Sequence, residues 1–211
     1  MSFRHYLYVS DAKVDMLLSR IAPESALMGT AGTSPDPTAV EAGRHVHDGA
    51  ADRFARLQRV LRHLGDRGDL GEVDGPAPYV HGVLPMQWGP VGDGDTVYFG
   101  GYSDRTIVGL GGSTGHVLSA ARAETQPAHR PAGSLMPALL HQLAELAAED
   151  TVGPDALGTV VRANSALRGP ARRLEFVAQR ILHGPCPYPE LYPVEERTVL
   201  LGSPLYVALA E

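Results

Sequence analysis

Three β-favouring segments between residues 79 and 113 most strongly constrain the fold of this chain. The last of them is an apolar run from Thr106 to Leu110, which leads into a glycine-dense turn, Gly-Gly-Ser-Thr-Gly, at residues 111–115. Short turn clusters separate the predicted strands, which cover residues 79–84, 96–102 and 105–110. This spacing predicts an antiparallel three-stranded meander, because antiparallel neighbours need only tight turns between them.

Apolar spacing predicts strands at both ends of the chain. Residues 3–9 are nearly all β-favouring, and residues 198–201 and 205–209 form two further predicted strands around a Gly-Ser-Pro turn. We expect the first and last strands to pair in the same sheet as the meander.

Between these strands, apolar residues recur every three or four positions, which is typical of helices packed on a sheet. Predicted helices begin near residues 11, 37, 133, 155 and 170, and the last of them would bury Leu174, Val177, Ala178 and Ile181. Residues 24–37 and 66–78 are polar and glycine-rich and are predicted loops. The expected fold is therefore a single α+β domain, with a mainly antiparallel sheet packed against four to five helices.

Composition excludes several classes of partner. The 211 residues carry a formal net charge of −6, and no basic cluster is longer than Arg172-Arg173, so a nucleic-acid partner is not expected. No apolar run approaches 18 residues, and the N-terminal residues lack a signal-peptide core, so no membrane partner is expected either. With Cys186 as the only cysteine, the chain cannot form an internal disulfide. We expect a cytoplasmic protein without a cofactor, and the sequence is compatible with a homo-oligomer.

The glycine-dense turn fits the pattern G-x-S-x-G, which in α/β-hydrolases presents a nucleophilic serine between a strand and a helix. Ser113 would then be the nucleophile, with His116 or His183 as its base and Asp150 or Asp155 as the orienting acid. Against this interpretation, the strands before the turn look antiparallel, whereas the hydrolase sheet is mostly parallel.

The same turn has two other interpretations. Backbone N–H groups in a glycine-rich turn can bind an anion or a polar group, and the side chains of nearby residues would assist them. That binding site would comprise Gly111, Gly112, Ser113, Thr114 and His116. The alternative is a turn that needs glycine only for its backbone dihedral angles.

A second candidate segment follows the first predicted strand. Asp11, Lys13 and Asp15 place mixed charge there, and Lys13 is the only lysine of the chain. Open sheets often bind ligands at the ends of their strands, so these three residues are candidate ligand contacts. The alternative is that Asp11 caps the following helix and that the other two are solvated.

Histidine and acidic residues at helical spacing suggest a possible metal site on the second predicted helix. Glu41, His45, Asp48 and Asp52 share one face of that helix, although a solvated polar face explains them equally well. We therefore predict no metal site. Cys186 has His183 three residues before it, which gives only slight support for an activated thiol. Trp88, together with Tyr79, Tyr98 and Tyr102, either lines an apolar pocket or belongs to the core.

The segment from Tyr6 to Leu17, YLYVSDAKVDML, resembles the N-terminal segment of an uncharacterised protein family found mainly in Streptomyces and related actinobacteria. Similar blocks recur at Gly112-Ser113 with His116-Val117, and at the C-terminal GSPLYVAL, residues 202–209. The resemblance implies no activity and no catalytic residues. It groups Asp11, Lys13 and Asp15 with Ser113 and His116 as one hypothetical constellation.

Three functions remain open from the sequence. The first is binding of a small polar or anionic ligand between residues 11–15 and 111–116, in specialised metabolism or in a regulatory or defence locus. The second is a serine hydrolase or acyl-transfer enzyme that uses Ser113. The third is a protein-interaction subunit without a small-molecule site.

Overall fold

The computed structural model describes residues 4–21, 48–91, 94–118, 140, 155–188, 190 and 197–210. These residues divide into two compact units, a helical unit within Asp11–Leu70 and a sheet unit formed by Met1–Ser10 with Gly71–Glu211. The helices are α1 (Asp11–Ile21), α2 (Asp48–Asp66) and α3 (Ala156–Ala166). The strands are β1 (His5–Val9), β2 (Leu70–Glu72), β3 (Tyr79–Val91), β4 (Thr96–Tyr102), β5 (Thr106–Ser113), β6 (Arg172–Pro185) and β7 (Thr198–Leu209).

Five strands of the sheet unit close into a barrel. The order around the barrel is β3-β4-β5-β7-β6, and β6 closes the circuit by pairing with β3. The β5–β7 pair is parallel and the other four are antiparallel. Closure leaves no free barrel edge, which removes the unpaired backbone groups that an open sheet exposes. Outside the barrel, β1 pairs with β7 and β2 lies beside β3.

Successive side chains of each strand point to opposite faces of the sheet, so the strands carry two separate apolar clusters. Side chains from all five barrel strands fill the interior, among them Val97, Phe99, Val108 and Leu110. The opposite faces of β4, β5 and β7 carry a second cluster that packs against α3. This two-sided burial explains why β4 and β5 are buried along nearly their whole length.

The helical unit consists of α1 and α2, which pack against each other. Ion pairs join them, with Arg53 bound to Asp11 at 2.9 Å and Arg56 bound to Asp15 at 2.5 Å. None of the helices in the described ranges is long and apolar enough to cross a membrane.

The predicted fold class is wrong. Strands make up 47% of the structure, the sheet is a closed five-stranded barrel, and the described residues contain three helices. An α+β sheet packed with four to five helices was expected. The adjacent antiparallel strands β3, β4 and β5 and the pairing of the first strand with the last agree with the prediction, as do helices α1 and α3. The predicted loop at 24–37 lies outside the described residues, as does all but one residue of the apolar stripe after 133, whereas the predicted loop at 66–78 contains the short strand β2.

The largest single error is the helix predicted after Pro170. Residues 172–185 form strand β6, in which Leu174, Phe176 and Ala178 face the barrel interior. Leu174 and Ala178 are four positions apart, a spacing that places two residues on one face of a helix and equally on one face of a strand. The turn predicted at Gly-Ser-Pro is also wrong, because β7 runs through it with a bulge that accommodates Pro204.

Candidate functional site

The glycine-dense turn forms the end of β5. Gly111 and Gly112 are buried within the strand, Ser113 is its last residue, and Thr114–His116 make one turn of 3₁₀ helix. Ser113 has extended backbone angles, φ −76° and ψ 137°, and its hydroxyl accepts a hydrogen bond from the Gly115 amide at 3.2 Å. The serine therefore caps the short helix, which is an ordinary structural role for this residue type.

Several backbone amides of the turn already have acceptors. The Thr114 amide donates to the Asp95 carbonyl at 3.0 Å, and the Val117 amide donates to the Thr114 carbonyl at 3.0 Å. Gly111 and Gly112 lie in the ladder with β4, opposite Tyr98 and Val97. An anion cradle needs several amides that point at a ligand, so these bonds weaken that interpretation of the turn.

Gly112 is needed for space. A Cβ atom at this position would collide with the hydroxyl of Tyr8 and would lie 2.7 Å from its Cζ atom. Tyr8 is 1% exposed and projects from β1 into the barrel cluster. The side chain of Ser10 and the backbone of Ser113 hydrogen-bond its hydroxyl, but burial dominates and raises the pKa of Tyr8 to about 12.

Tyr8 is one of the two inner rings in a row of four, which we call the aromatic row. In order, the rings are those of His116, Tyr8, Phe99 and Trp88. Tyr8 makes edge-on contacts with His116, at 5.8 Å between centroids, and with Phe99, at 5.9 Å. Phe99 in turn stacks on Trp88 at 5.7 Å, with 21° between the planes. The inner rings are buried, whereas Trp88 is 39% exposed and His116 is half-buried. The row thus runs from the barrel interior to its surface at both ends.

His183 lies far from Ser113. The register aligns His183 with Leu200 on β7, and Leu200 with Val108 on β5. Val108 precedes Ser113 by five residues, which is roughly 16 Å of strand. The structure therefore does not bring these two proposed catalytic residues together, while His116 follows Ser113 within the same turn.

The surroundings of His183 form a separate polar cluster. Burial and the nearby Arg180 lower the pKa of His183, and Asp74 opposes them. Asp74 accepts a hydrogen bond from Thr106, whose hydroxyl also lies 2.8 Å from that of Thr198. Asp74, Thr106 and Thr198 therefore form hydrogen bonds with one another at the start of β5.

Asp11, Lys13 and Asp15 lie on α1, in the helical unit. Asp11 and Asp15 form the ion pairs with α2 described above. Burial lowers the pKa of Lys13 to about 8. Residues 111–116 belong to the sheet unit, and the grouping of the two segments stays a prediction.

The remaining candidates are distributed as follows. Among the described residues, no three His, Cys, Asp or Glu side chains cluster closely enough to hold a metal ion. Glu41, His45 and the side chain of Asp48 lie outside those residues, and Asp52 pairs with Arg56 at 3.1 Å. Cys186 is half-buried against the apolar cluster under α3.

Sequence reasoning missed the aromatic row. It grouped Trp88 with Tyr98 and Tyr102, but Tyr98 faces α3 on the opposite side of β4, and Tyr102 is exposed beside Arg197. The available signal was alternation, since Val97 and Phe99 share one face of β4 and Tyr98 occupies the other. The contact between Tyr8 and residues 112–116 is too distant in sequence to be read from any local pattern.

A second group also escaped the sequence analysis. On the outer face of the sheet, Glu175 accepts a hydrogen bond from the Tyr206 hydroxyl at 2.6 Å and pairs with Arg4 at 3.1 Å. Burial and this bond raise the pKa of Tyr206. Each partner in this group is bound to another, so it stabilises the pairing of β1, β6 and β7.

Comparison with known proteins places the chain at the level of a family. No curated protein and no solved structure matches it. The expectation of an uncharacterised family is confirmed, because the sequence model of a family of unknown function, DUF7019, matches residues 4–211, and the chain belongs to that family.

Proposed function

We propose that the protein binds a small polar molecule at the surface end of the aromatic row, beside the 3₁₀ turn. The observation that carries this proposal is the continuity of the row, in which His116 contacts Tyr8 and Trp88 stacks on Phe99 at the other end. Rings fixed by their neighbours offer a preorganised surface, which lowers the entropic cost of binding.

Polar groups beside this row supply the directional contacts. Ser113, Thr114 and His116 are half-buried, so hydroxyl groups and an imidazole meet solvent next to the rings. Small-molecule sites typically combine apolar and aromatic walls with a few polar groups that fix orientation. The end of β5 has this combination of groups.

The opposite end of β5 lacks this combination. There Thr106 is fully buried and is hydrogen-bonded to Asp74 and Thr198. The hydrolase alternative has no comparable support, since Ser113 caps the turn and His183 is aligned with residues well before it.

A binding screen tests the proposal. Trp88 is the only tryptophan and lies at the other end of the row, so its fluorescence is an indirect reporter and the melting temperature is the direct one. We expect at least one of inorganic phosphate, glucose, glutamate and adenosine to change this emission saturably and to raise the melting temperature. His116→Ala should abolish the effect, whereas Tyr102→Ala, which removes an exposed ring elsewhere on β4, should retain it. Binding that survives His116→Ala, or no binding by any compound, would overturn the proposal.

The cellular setting is part of the same proposal. The lone cysteine suits the reducing cytoplasm, where we place the ligand. An actinobacterial source, and a role in specialised metabolism or in a regulatory or defence locus, follow only from the resemblance noted above.

A further inference from the structure

We propose that the opposite end of the aromatic row, at Trp88, is a second binding site, which takes a planar aromatic ring that bears a carboxylate or phosphate group. The site is formed by Trp88 on β3 and by Arg172, the first residue of β6. It goes beyond the function proposed above, which concerns the His116 end of the row, and does not depend on it.

Trp88 is held in place as a stacking surface. It lies opposite Phe99 in the register of β3 with β4, and the two rings stack with 21° between their planes. Phe99 is fully buried, whereas 39% of Trp88 stays exposed. Because the indole is supported on one side, its remaining surface is preorganised for a second ring, and stacked rings attract each other beyond the area they bury.

Arg172 lies within reach of the same ligand. The register aligns it with Met86 on β3. Met86 and Leu174 project into the barrel interior, so alternation places Trp88 and Arg172, each two residues away, on that same face. Diagonal neighbours on one sheet face lie about 7–8 Å apart, which long side chains can span. One small molecule can therefore stack on the indole and pair with the guanidinium without crossing the buried rings.

A hydrogen bond ties the two strands together at this position. The side-chain amide of Gln87 donates to the carbonyl of Gly169. Gln87 immediately precedes Trp88, and Gly169 lies three residues before Arg172. The bond therefore fixes the segment that enters β6 against the strand that carries the indole.

The charge beside Trp88 favours an anionic group. Residues 156–174 contain four arginines and no acidic residue, and residues 75–92 contain no aspartate, glutamate, lysine or arginine, on a chain whose formal net charge is −6. Arg172 is exposed, and no carboxylate pairs with it in the part of the chain that the structure describes. A guanidinium group matches a carboxylate or phosphate with two parallel hydrogen bonds.

The acidic residues nearby do not cancel this charge. Asp93 and Asp95, the closest to Trp88 in sequence, belong to the turn between β3 and β4. Glu175, the closest to Arg172, lies on the outer face, where it is bound to Tyr206 and Arg4. The exposed Arg173 lies on that outer face as well, and adds positive charge beside the site.

The test separates the ring from the charge. Naphthoate and naphthyl phosphate are titrated into the protein by calorimetry. Naphthol supplies the ring without an anion at neutral pH, and cyclohexanecarboxylate supplies the anion without an aromatic ring. We expect at least one of the two aromatic anions to bind saturably and more tightly than both of these compounds. The comparison of the two shows whether the site prefers a carboxylate or a phosphate.

Substitutions then locate the binding. Trp88→Ala should weaken the affinity roughly two- to twelvefold, because it removes the stacked pair, and Trp88→Phe should lose less. Arg172→Gln should weaken it roughly two- to fivefold, as expected for an exposed ion pair, and Arg172→Lys should retain part of that contribution. Added salt should reduce the affinity of the wild-type protein more than that of Arg172→Gln.

Arg105→Gln is the matched control. Arg105 is also exposed, but it precedes β5, whereas Leu110, near the other end of that strand, is the residue paired with Phe99. This variant should bind like the wild-type protein. Melting curves of every variant separate loss of binding from loss of folding.

Four results would overturn the proposal. They are no binding of either aromatic anion up to its solubility limit, equally tight binding of naphthol or cyclohexanecarboxylate, and an affinity that is unchanged in Trp88→Ala or in Arg172→Gln. The fourth is binding that is lost in His116→Ala but retained in Trp88→Ala. That result would place the aromatic anion at the His116 end of the row, so the second site would fail while the proposed function stands.

Discussion

Glycines in β4 and β5 make room for two polar side chains on opposite faces of the same sheet, and the two places differ in how they meet solvent. On the outer face, Gly100 lies against Asn164 of α3, and a Cβ atom there would collide with the Asn164 amide oxygen. On the inner face, Gly112 lies in the same way against Tyr8. In both places the missing Cβ atom allows close approach of a hydrogen-bonding group.

The outer site is closed. The Tyr98 hydroxyl donates to the Asn164 side-chain oxygen at 2.6 Å, and the Asn164 amide nitrogen donates to the carbonyls of Gly101 and Val108, each at 3.1 Å. The inner site leads outward through His116 and the 3₁₀ turn to solvent. Both hydroxyl groups are buried and hydrogen-bonded, but only the inner one lies beside a half-buried turn, which is where we propose that a ligand binds.

The largest expected effect comes from removing the hydrogen bonds of Asn164 in the outer site. Asn164→Leu keeps a similar volume but removes all three hydrogen bonds, which leaves the buried Tyr98 hydroxyl and two carbonyls without this partner. We expect a loss of about 2–4 kcal/mol in the free energy of unfolding, measured by urea denaturation. Binding of the small polar ligand beside the 3₁₀ turn should be unchanged in the fraction that folds.

Ser165→Ala is the control for this prediction. Ser165 is exposed on the same helix and its hydroxyl donates to the Arg162 carbonyl, so loss of this hydroxyl should change stability by less than about 0.5 kcal/mol. Equal effects of the two substitutions would contradict the structural importance of the Asn164 bonds.

Alkaline pH should affect the inner site next. The pKa of Tyr8 is raised from 10.0 to about 12, chiefly by burial. Below pH 10 the hydroxyl is protonated in both states and its full contribution is present. Between pH 10 and 12 the unfolded chain loses the proton first, so stability should fall by up to about 1.4 kcal/mol per pH unit. Unfolding measured across this range should show a shallower decline in Tyr8→Phe.

Tyr206 contributes to the same decline, because its pKa is also raised, so Tyr8→Phe should remove only part of the slope. If Tyr8→Phe matches the wild-type protein at every pH, the Tyr8 hydroxyl is not buried as the structure shows.

These two sites also show why the sequence could be interpreted only in part. The strands around residues 96–113 and the helices after Ser10 and Asp155 follow local periodicity, so they could be predicted. Closure of the barrel could not, because it depends on the parallel pairing of Thr106–Leu110 with Thr198–Gly202, which are some 90 residues apart. Strand β6 was predicted as a helix because the spacing of its buried residues fits one face of a helix as well as one face of a strand.

In the candidate site, too, the local features could be predicted and the contacts between distant residues could not. Ser113 and His116 were correctly placed at the end of a strand, but the pattern Gly-Gly-Ser-Thr-Gly suggested an elbow or an anion cradle. The structure gives Gly112 a different purpose, since it admits Tyr8, a residue 104 positions earlier. A local motif shows that glycine is required without showing what occupies the space.

A smaller effect is expected when that space is filled. In Gly112→Ala the new methyl group meets the Tyr8 ring, which is held between Phe99 and His116. Overpacking of this kind typically costs about 1–3 kcal/mol, to be measured by thermal and urea unfolding. Tyr8→Phe removes the nearest atom, so the double variant should lose less than the sum of the two single losses.

Gly89→Ala is the matched control for this substitution. Gly89 lies in β3, and no atom of the described residues lies within 4 Å of the position that its Cβ would occupy. A loss as large as that of Gly112→Ala would show that strand propensity, and not the contact with Tyr8, explains the requirement for glycine.

The smallest effect on stability, and the sharpest separation of the two sites, is expected from His116→Ala. The half-buried imidazole makes an edge-on contact with Tyr8, and such ring pairs contribute about 0.5–1.5 kcal/mol. Stability should therefore fall by no more than this amount, whereas binding of the small polar ligand should be lost. Asn164→Leu should show the reverse pattern, with large destabilisation and retained binding. His116→Ala could instead destabilise the protein as much as Asn164→Leu and leave binding intact. The inner site would then be structural, like the outer one, and would not bind the ligand.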